Sequence, residues 1–209
     1  MNANITKRNE LLSKEVIKGL EKRNMKGYYA ADKEEALKIA LSLIPEKSTV
    51  ARAGSASVDE IGLPKALTDG DYEFCNRDII EDKRAAELFA LDADVFVAGS
   101  NAITKDGVLV NIDAKSNRVA AICYGPRKVI LVVGMNKVVS DVDEAVKRAR
   151  NTAATINAQR FGLTTPCGIT GKCGDCLMEQ CICCQILTTR YSKHKDRIKV
   201  IIVNEELGF

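Results

Sequence analysis

Residues 93–137 read A-D-V-F-V-A-G-S-N-A-I-T-K-D-G-V-L-V-N-I-D-A-K-S-N-R-V-A-A-I-C-Y-G-P-R-K-V-I-L-V-V-G-M-N-K. Short β-branched runs alternate here with clusters of Gly, Asn, Asp and Ser, so the stretch predicts strands over Val95–Ala98, Val108–Ile112, Arg118–Cys123 and Val129–Val133, joined by tight turns. The unbroken run Val129–Val133 is of the kind buried on both faces of a parallel sheet. In open α/β folds, polar turns at the carboxyl ends of such strands are where ligands bind.

Working outward, Leu12, Val16 and Leu20 recur at four-residue spacing and predict an amphipathic helix over Lys7–Arg23. A second helix is expected to follow at once, opened by Asp32 and Glu35 as a capping box and closed by Pro45. Ser48–Ala53 reads as a strand, Gly54-Ser55-Ala56-Ser57 as a small-residue turn, and Val58–Leu67 as a helix. Asp141 with Glu144 opens another helix to about Arg160, Gly162 fits its C-cap, and Ile198–Val203 closes the chain as a buried strand. These elements predict an α/β sandwich spanning 1–209 as one unit, with N-terminal helices over 1–45 and a cysteine-rich insertion over 164–190 before the last strand.

The 209 residues are 46% hydrophobic and carry a net charge of +3 with acids and bases interspersed, which leaves no electrostatic footprint for nucleic acid or a membrane surface. The N-terminus lacks a signal-type apolar stretch, and no apolar run approaches the ~20 residues needed to span a bilayer, so a cytoplasmic location is expected. G-x-G-x-x-G is absent, which argues against a dinucleotide bound in that mode. Self-association is left open.

Six of the eight cysteines fall between Cys167 and Cys184, in T-P-C-G-I-T-G-K-C-G-D-C-L-M-E-Q-C-I-C-C. A chain of this size in a reducing compartment has no need of so many thiols for its core, and metal binding is the first expectation. C-x-x-C also serves redox exchange, and clustered thiols can pair by oxidation. Cys75 and Cys123 are expected to be core thiols, Cys123 inside a strand, and His194 a surface residue.

The 93–137 segment, together with T-P-C, G-K-C-G-D-C, C-I-C and the terminal E-L-G-F, resembles the LUD-domain (lactate-utilisation) family from about Ala51 onward. The resemblance implies a fold similar to the NagB, ribose-phosphate isomerase and CoA-transferase group. It also implies a role alongside iron–sulfur partner proteins in oxidising lactate to pyruvate. The family pattern picks out Cys167, Cys173, Cys176 and Cys183 as ligands of zinc or an iron–sulfur cluster, with Cys181 and Cys184 as alternatives to Cys183.

Sugar-phosphate isomerases of the related fold tend to carry an aspartate where this chain has Asn101, and a lysine where it has Ile112. An amide has no titratable proton near neutral pH, so an isomerase working in that manner is disfavoured. Asp113 remains as a candidate base, whereas Asp106-Gly107 is a hairpin signal and makes Asp106 a turn residue. Candidate ligand-binding residues are Gly54, Ser55 and Ser57 in the anion-type turn, then Gly99, Ser100, Asn101, Thr104, Asn111, Asn117, Arg118 and Lys137. The turn at 54–57 also suits any strand-to-helix connection; Arg118 fits either a carboxylate clamp or a surface ion pair, and Lys137 either a ligand-binding cation or a solvated lysine. Three functions follow: a redox-associated component of 2-hydroxyacid metabolism, a stand-alone enzyme on a sugar-phosphate or acyl-CoA substrate, and a non-catalytic assembly subunit.

Overall fold

The computed structural model describes residues 2–209. Helix α1 (Ala3–Lys22) leads into strand β1 (Lys26–Ala30), and α2 (Lys33–Leu43) into β2 (Thr49–Arg52). Helices α3 (Ala56–Glu60) and α4 (Leu63–Asp69) precede β3 (Glu73–Cys75), and α5 (Lys83–Asp92) precedes β4 (Val95–Gly99). The hairpin β5 (Ala102–Thr104) and β6 (Leu109–Asp113) is followed by α6 (Asn117–Cys123), β7 (Lys128–Gly134) and β8 (Val138–Val139). Then come α7 (Val142–Arg148), α8 (Ala154–Arg160), α9 (Pro166–Thr170), β9 (Gln185–Thr189) and β10 (Ile198–Val203).

Six strands form a wholly parallel sheet in the order β1-β10-β7-β4-β2-β3. Along β7, Val129, Leu131 and Val133 pack on one face with α1, α5 and α6, while Ile130 and Val132 pack on the other with α2, α3 and α4. A strand clothed on both sides must be apolar at every position, which is why its sequence does not alternate. A smaller four-stranded sheet, β8-β5-β6-β9, packs Ala102, Val110 and Ile112 against Ala145, Ala149 and Ala154. Among the described residues, no helix is long and apolar enough to cross a membrane.

Both capping boxes form. Asp32 accepts from the Glu35 amide at 2.8 Å while Glu35 accepts from the Ala31 amide at 2.7 Å, and Asp141 and Glu144 repeat the exchange at 2.9 and 2.8 Å. The helix that Asp141 opens continues to Arg160, but Ala149–Ala153 between α7 and α8 is a π-helical turn. Gly162 follows with φ +60°, as expected of a C-cap glycine.

Four expectations are corrected. Arg118–Cys123 is helical: both backbone amides at its start donate to the Asp113 carboxylate, from Arg118 at 2.9 Å and Val119 at 3.1 Å, a cap supplied by the preceding strand. The first two helices are separated by β1, a five-residue edge strand that leaves only Gly27 and Ala30 buried and so lacks a clear apolar run. The helix expected over Val58–Leu67 is two helices, broken where Gly62 takes φ +74° and Pro64 starts the next turn. Cys123 ends α6 and is exposed, whereas Cys75 is buried as expected. The expected cysteine-rich segment, residues 164–190, consists of the short helix α9, a run of turns, and β9 paired antiparallel to β6.

Candidate functional site

Strands β2, β4 and β7 end on the same edge of the parallel sheet, and the turns that leave them enclose a cleft of about 340 Å³. At Gly99, the end of β4, a Cβ would stand 2.7 Å from the Ser55 hydroxyl, which would have to turn aside. The absence of a Cβ lets the 54–57 turn close onto the strand.

Arg118 is the hub of one wall. Its guanidinium donates to the Gly99 carbonyl at 3.0 Å, to Asn111 Oδ1 and Asn101 Oδ1 at 2.7 Å each, and to the Ile112 carbonyl at 2.6 Å. Asn101 Oδ1 also accepts from the Ile112 amide at 2.9 Å. Every one of these acceptors is neutral. Among the described residues no carboxylate comes within ion-pair distance of this guanidinium, so the surface ion pair considered for Arg118 does not form. Desolvation lowers its pKa from the usual value, opposed by the charge of Asp113.

Lys137, at the end of a 3₁₀ turn after β7, is only 4% exposed, so it is not the solvated lysine the sequence left open. Its Nζ donates to the Ser57 hydroxyl at 2.7 Å, and Ser57 donates to the Leu207 carbonyl at 3.3 Å. Burial, then the nearby guanidiniums of Arg148 and Arg118, push its pKa down to about 7, with Glu60 acting weakly the other way. Arg77, Lys115 and Arg160 complete the cationic lining, and Asp113 is the one carboxylate side chain among the lining residues.

The structure brings Gly54, Ser55, Gly99, Ser100, Asn101, Asp113, Asn117, Arg118 and Lys137 to this cleft, with Ser57 and Asn111 directly behind it. Thr104 lies elsewhere, in the β5–β6 turn, where its hydroxyl bonds Asp106 and accepts from the Val108 amide at 2.9 Å. Arg77, Asn157, Arg160, Phe161, Ile182 and Phe209 were missed as lining residues. They come from four separate chain segments, and no local motif marks them.

Cys167, Cys173, Cys176, Cys181, Cys183 and Cys184 line a neighbouring recess of about 460 Å³, and Ala154 and Ile182 border both it and the cleft. Four sulfurs ~2.3 Å from one zinc would stand about 3.8 Å apart. Cys181 and Cys183 are at 3.8 Å, but among the described residues no three Cys, His, Asp or Glu side chains converge as ligands of a single ion. Thiols are the donor type that both zinc and cysteine-ligated clusters take. Burial and the neighbouring Cys181 push the Cys183 thiol up to about 12. Burial also opposes ionisation of Cys181, but hydrogen bonds from Cys183, Cys176 and Cys184 bring it below the usual thiol value.

Residues 13–203 match the LUD domain. This chain belongs to the LUD-domain family. The LUD family is associated with lactate utilisation. A DUF162 family protein from Deinococcus radiodurans superposes with a TM-score of 0.53 at 15% identity, covering 93% of this chain and 98% of that one, which shows a shared fold. The eIF2B beta subunit from Chaetomium thermophilum aligns with 54% of the LUD chain and 44% of its own, at 14% identity and a TM-score of 0.40. Among curated proteins no match was found.

Proposed function

We propose that the cleft binds a small carboxylate, and that the chain is a redox-associated component of lactate or related 2-hydroxyacid utilisation. The observation that carries this reading is the charge of the lining side chains: Arg77, Lys115, Arg118, Lys137 and Arg160 against the single carboxylate side chain of Asp113. Arg77 is engaged by Glu87 at 2.8 Å, while Arg118 spends its terminal nitrogens on neutral acceptors and keeps its positive charge at the cleft wall, so an incoming anion would meet a cationic lining.

In this reading the adjacent cysteines, Cys167, Cys173, Cys176 and Cys183 with Cys181 and Cys184, hold an iron–sulfur cluster or zinc. A cluster would supply single-electron transfer beside the bound acid. The protein's own part is to fix the carboxylate through the cationic lining, hold Asn101 and Asn111 in place through Arg118, and keep water from the wall formed by Ile182 and Phe209. The exposed side chains of Leu177 and Met178 beside the recess support docking of an iron–sulfur partner protein.

Titration calorimetry with lactate, pyruvate and inorganic phosphate tests the reading. Saturable binding of a monocarboxylate, weakened at least tenfold in Arg160→Ala, is the expected result. Binding of phosphate with no binding of either acid would instead favour a phosphorylated substrate, held by the turn at Gly54–Ser57 with Asp113 acting on protons. Heat from none of them would overturn the anion-binding reading.

A further inference from the structure

Lys137 is the one lysine classed as buried among the described residues, and no carboxylate lies within ion-pair distance of it. Its neighbours are cationic: Arg148, which donates to the Asn136 carbonyl at 2.9 Å and to the Asn101 carbonyl, and Arg118 across the cleft. Desolvation alone would also strengthen a cation's hold on an anion, but at Lys137 it comes with two neighbouring guanidiniums and no ion-paired carboxylate, which together disfavour the charged amine. A lysine that must present a lone pair gains from both burial and neighbouring cations.

The hydrogen bonds around it leave that lone pair free. Ser57 has one hydroxyl proton, and its 3.3 Å contact with the Leu207 carbonyl, which only accepts, takes it. Ser57 therefore accepts from Lys137, whose Nζ spends a proton on this bond at 2.7 Å and keeps its electron pair for the cleft it lines. The arrangement is held from behind by Gly208, where φ is +51° and a Cβ would stand 2.9 Å from the Ser57 hydroxyl.

We infer that Lys137 is a covalent amine catalyst that captures a 2-oxo acid in the cleft as an imine. The inference rests on the carboxylate-binding reading and adds the substrate class and the reacting atom. The cationic lining takes the carboxylate and Lys137 Nζ adds to the adjacent ketone carbon. The nitrogen gives up two protons to the former carbonyl oxygen, which leaves as water, and a C=N bond replaces C=O with no change in oxidation state. Protonation of the imine nitrogen then makes it an electron sink for breaking a bond at the neighbouring carbon.

The test is reductive trapping. The full-length protein is incubated with pyruvate and sodium borohydride, digested, and mapped by mass spectrometry, with lactate as the control acid that has no ketone. The expected result is one adduct per chain on Lys137, suppressed by excess lactate and lost to background in Lys137→Arg and Lys137→Met, both checked for folding by thermal unfolding. Calorimetric binding of pyruvate with no adduct on Lys137 would overturn this inference and leave the binding reading standing. An adduct spread over surface lysines and unchanged in Lys137→Met would also overturn it. Absence of both binding and adduct would overturn the two together.

Discussion

Gly19 in α1 and Gly107 in the β5–β6 turn meet backbone against backbone: a Cβ on Gly19 would stand 2.3 Å from the Asp106 carbonyl carbon, and one on Gly107 would stand 2.4 Å from the Leu20 amide nitrogen. The seam is tied by Arg23, whose Nε donates to the Asp106 carbonyl at 2.7 Å and whose guanidinium pairs with the Asp106 carboxylate. Backbone cannot retreat as a side chain can. Gly19→Ala should therefore lower unfolding stability by about 1–3 kcal/mol, as overpacking does. Gly107→Ala, at φ +88°, should cost at least as much. Urea denaturation of both variants measures it, and native-like midpoints would mean that α1 is free to shift.

Arg118→Lys keeps the charge but not the fork. An ammonium cannot reach four acceptors spread over Gly99, Asn101, Asn111 and Ile112, so at least two are left without a donor. The expected loss is about 1–3 kcal/mol per orphaned group, together with weaker carboxylate binding. Denaturation and calorimetry on one sample separate the two effects.

Asp113 has two separable jobs. Asp113→Ala removes the acceptor for the Arg118 and Val119 amides and should destabilise by about 0.5–2 kcal/mol, as loss of a helix cap does. Asp113→Asn keeps an acceptor oxygen, so its stability should stay near that of the wild type. Any turnover it loses then reports the missing charge and proton transfer, not the loss of the cap.

Lys137 should leave a pH signature. Its folded pKa of about 7 lies below the ordinary 10.5, so the unfolded chain binds the extra proton between those values and stability rises with pH across that window. The cost of charging it is fully present below pH 7, on the order of 5 kcal/mol. The charged groups that face it are Arg148, Arg118 and Glu60, and Ser57 does not titrate. Lys137→Met should raise the melting temperature most at pH 6, less at pH 8–9, and hardly at all above 10.5. A gain independent of pH would show that the lysine is not desolvated in solution.

Metal content should follow the recess and not the cysteine total. Protein purified without oxygen is expected to keep its iron or zinc in Cys75→Ser and Cys123→Ser, neither of which lines the recess. Cys173→Ser, Cys176→Ser and Cys183→Ser should lose most of it. Elemental analysis per chain decides, and equal metal in all five variants would remove the recess as the site.

The central sheet was legible because β4, β7 and β10 are apolar at nearly every position, a pattern that only two-sided burial explains. The caps at Asp32 and Asp141 and the Asp106–Gly107 turn were legible because their hydrogen bonds close within a few residues. What escaped depends on distant partners. Helix α6 is capped from β6, β1 is a strand because β10 lies beside it, and β9 because β6 does. The cleft shows the same division. Gly99, Asn101 and Arg118 sit in one continuous motif, whereas Arg77, Arg160 and Phe209 become its neighbours only through folding.

The π-helical turn at Ala149–Ala153 acts as a change of phase within one long helix. Ala145 before it and Ala149 at its start fill the space beneath the small sheet with Ala154, and further along Asn157 and Arg160 line the cleft. Each residue advances a helix by about 100°. Deleting one residue from the wide turn would therefore leave Ala145 in place and swing Ala154 out of the packing and Asn157 and Arg160 away from the cleft, so the aim of the far half is set by a single surplus residue.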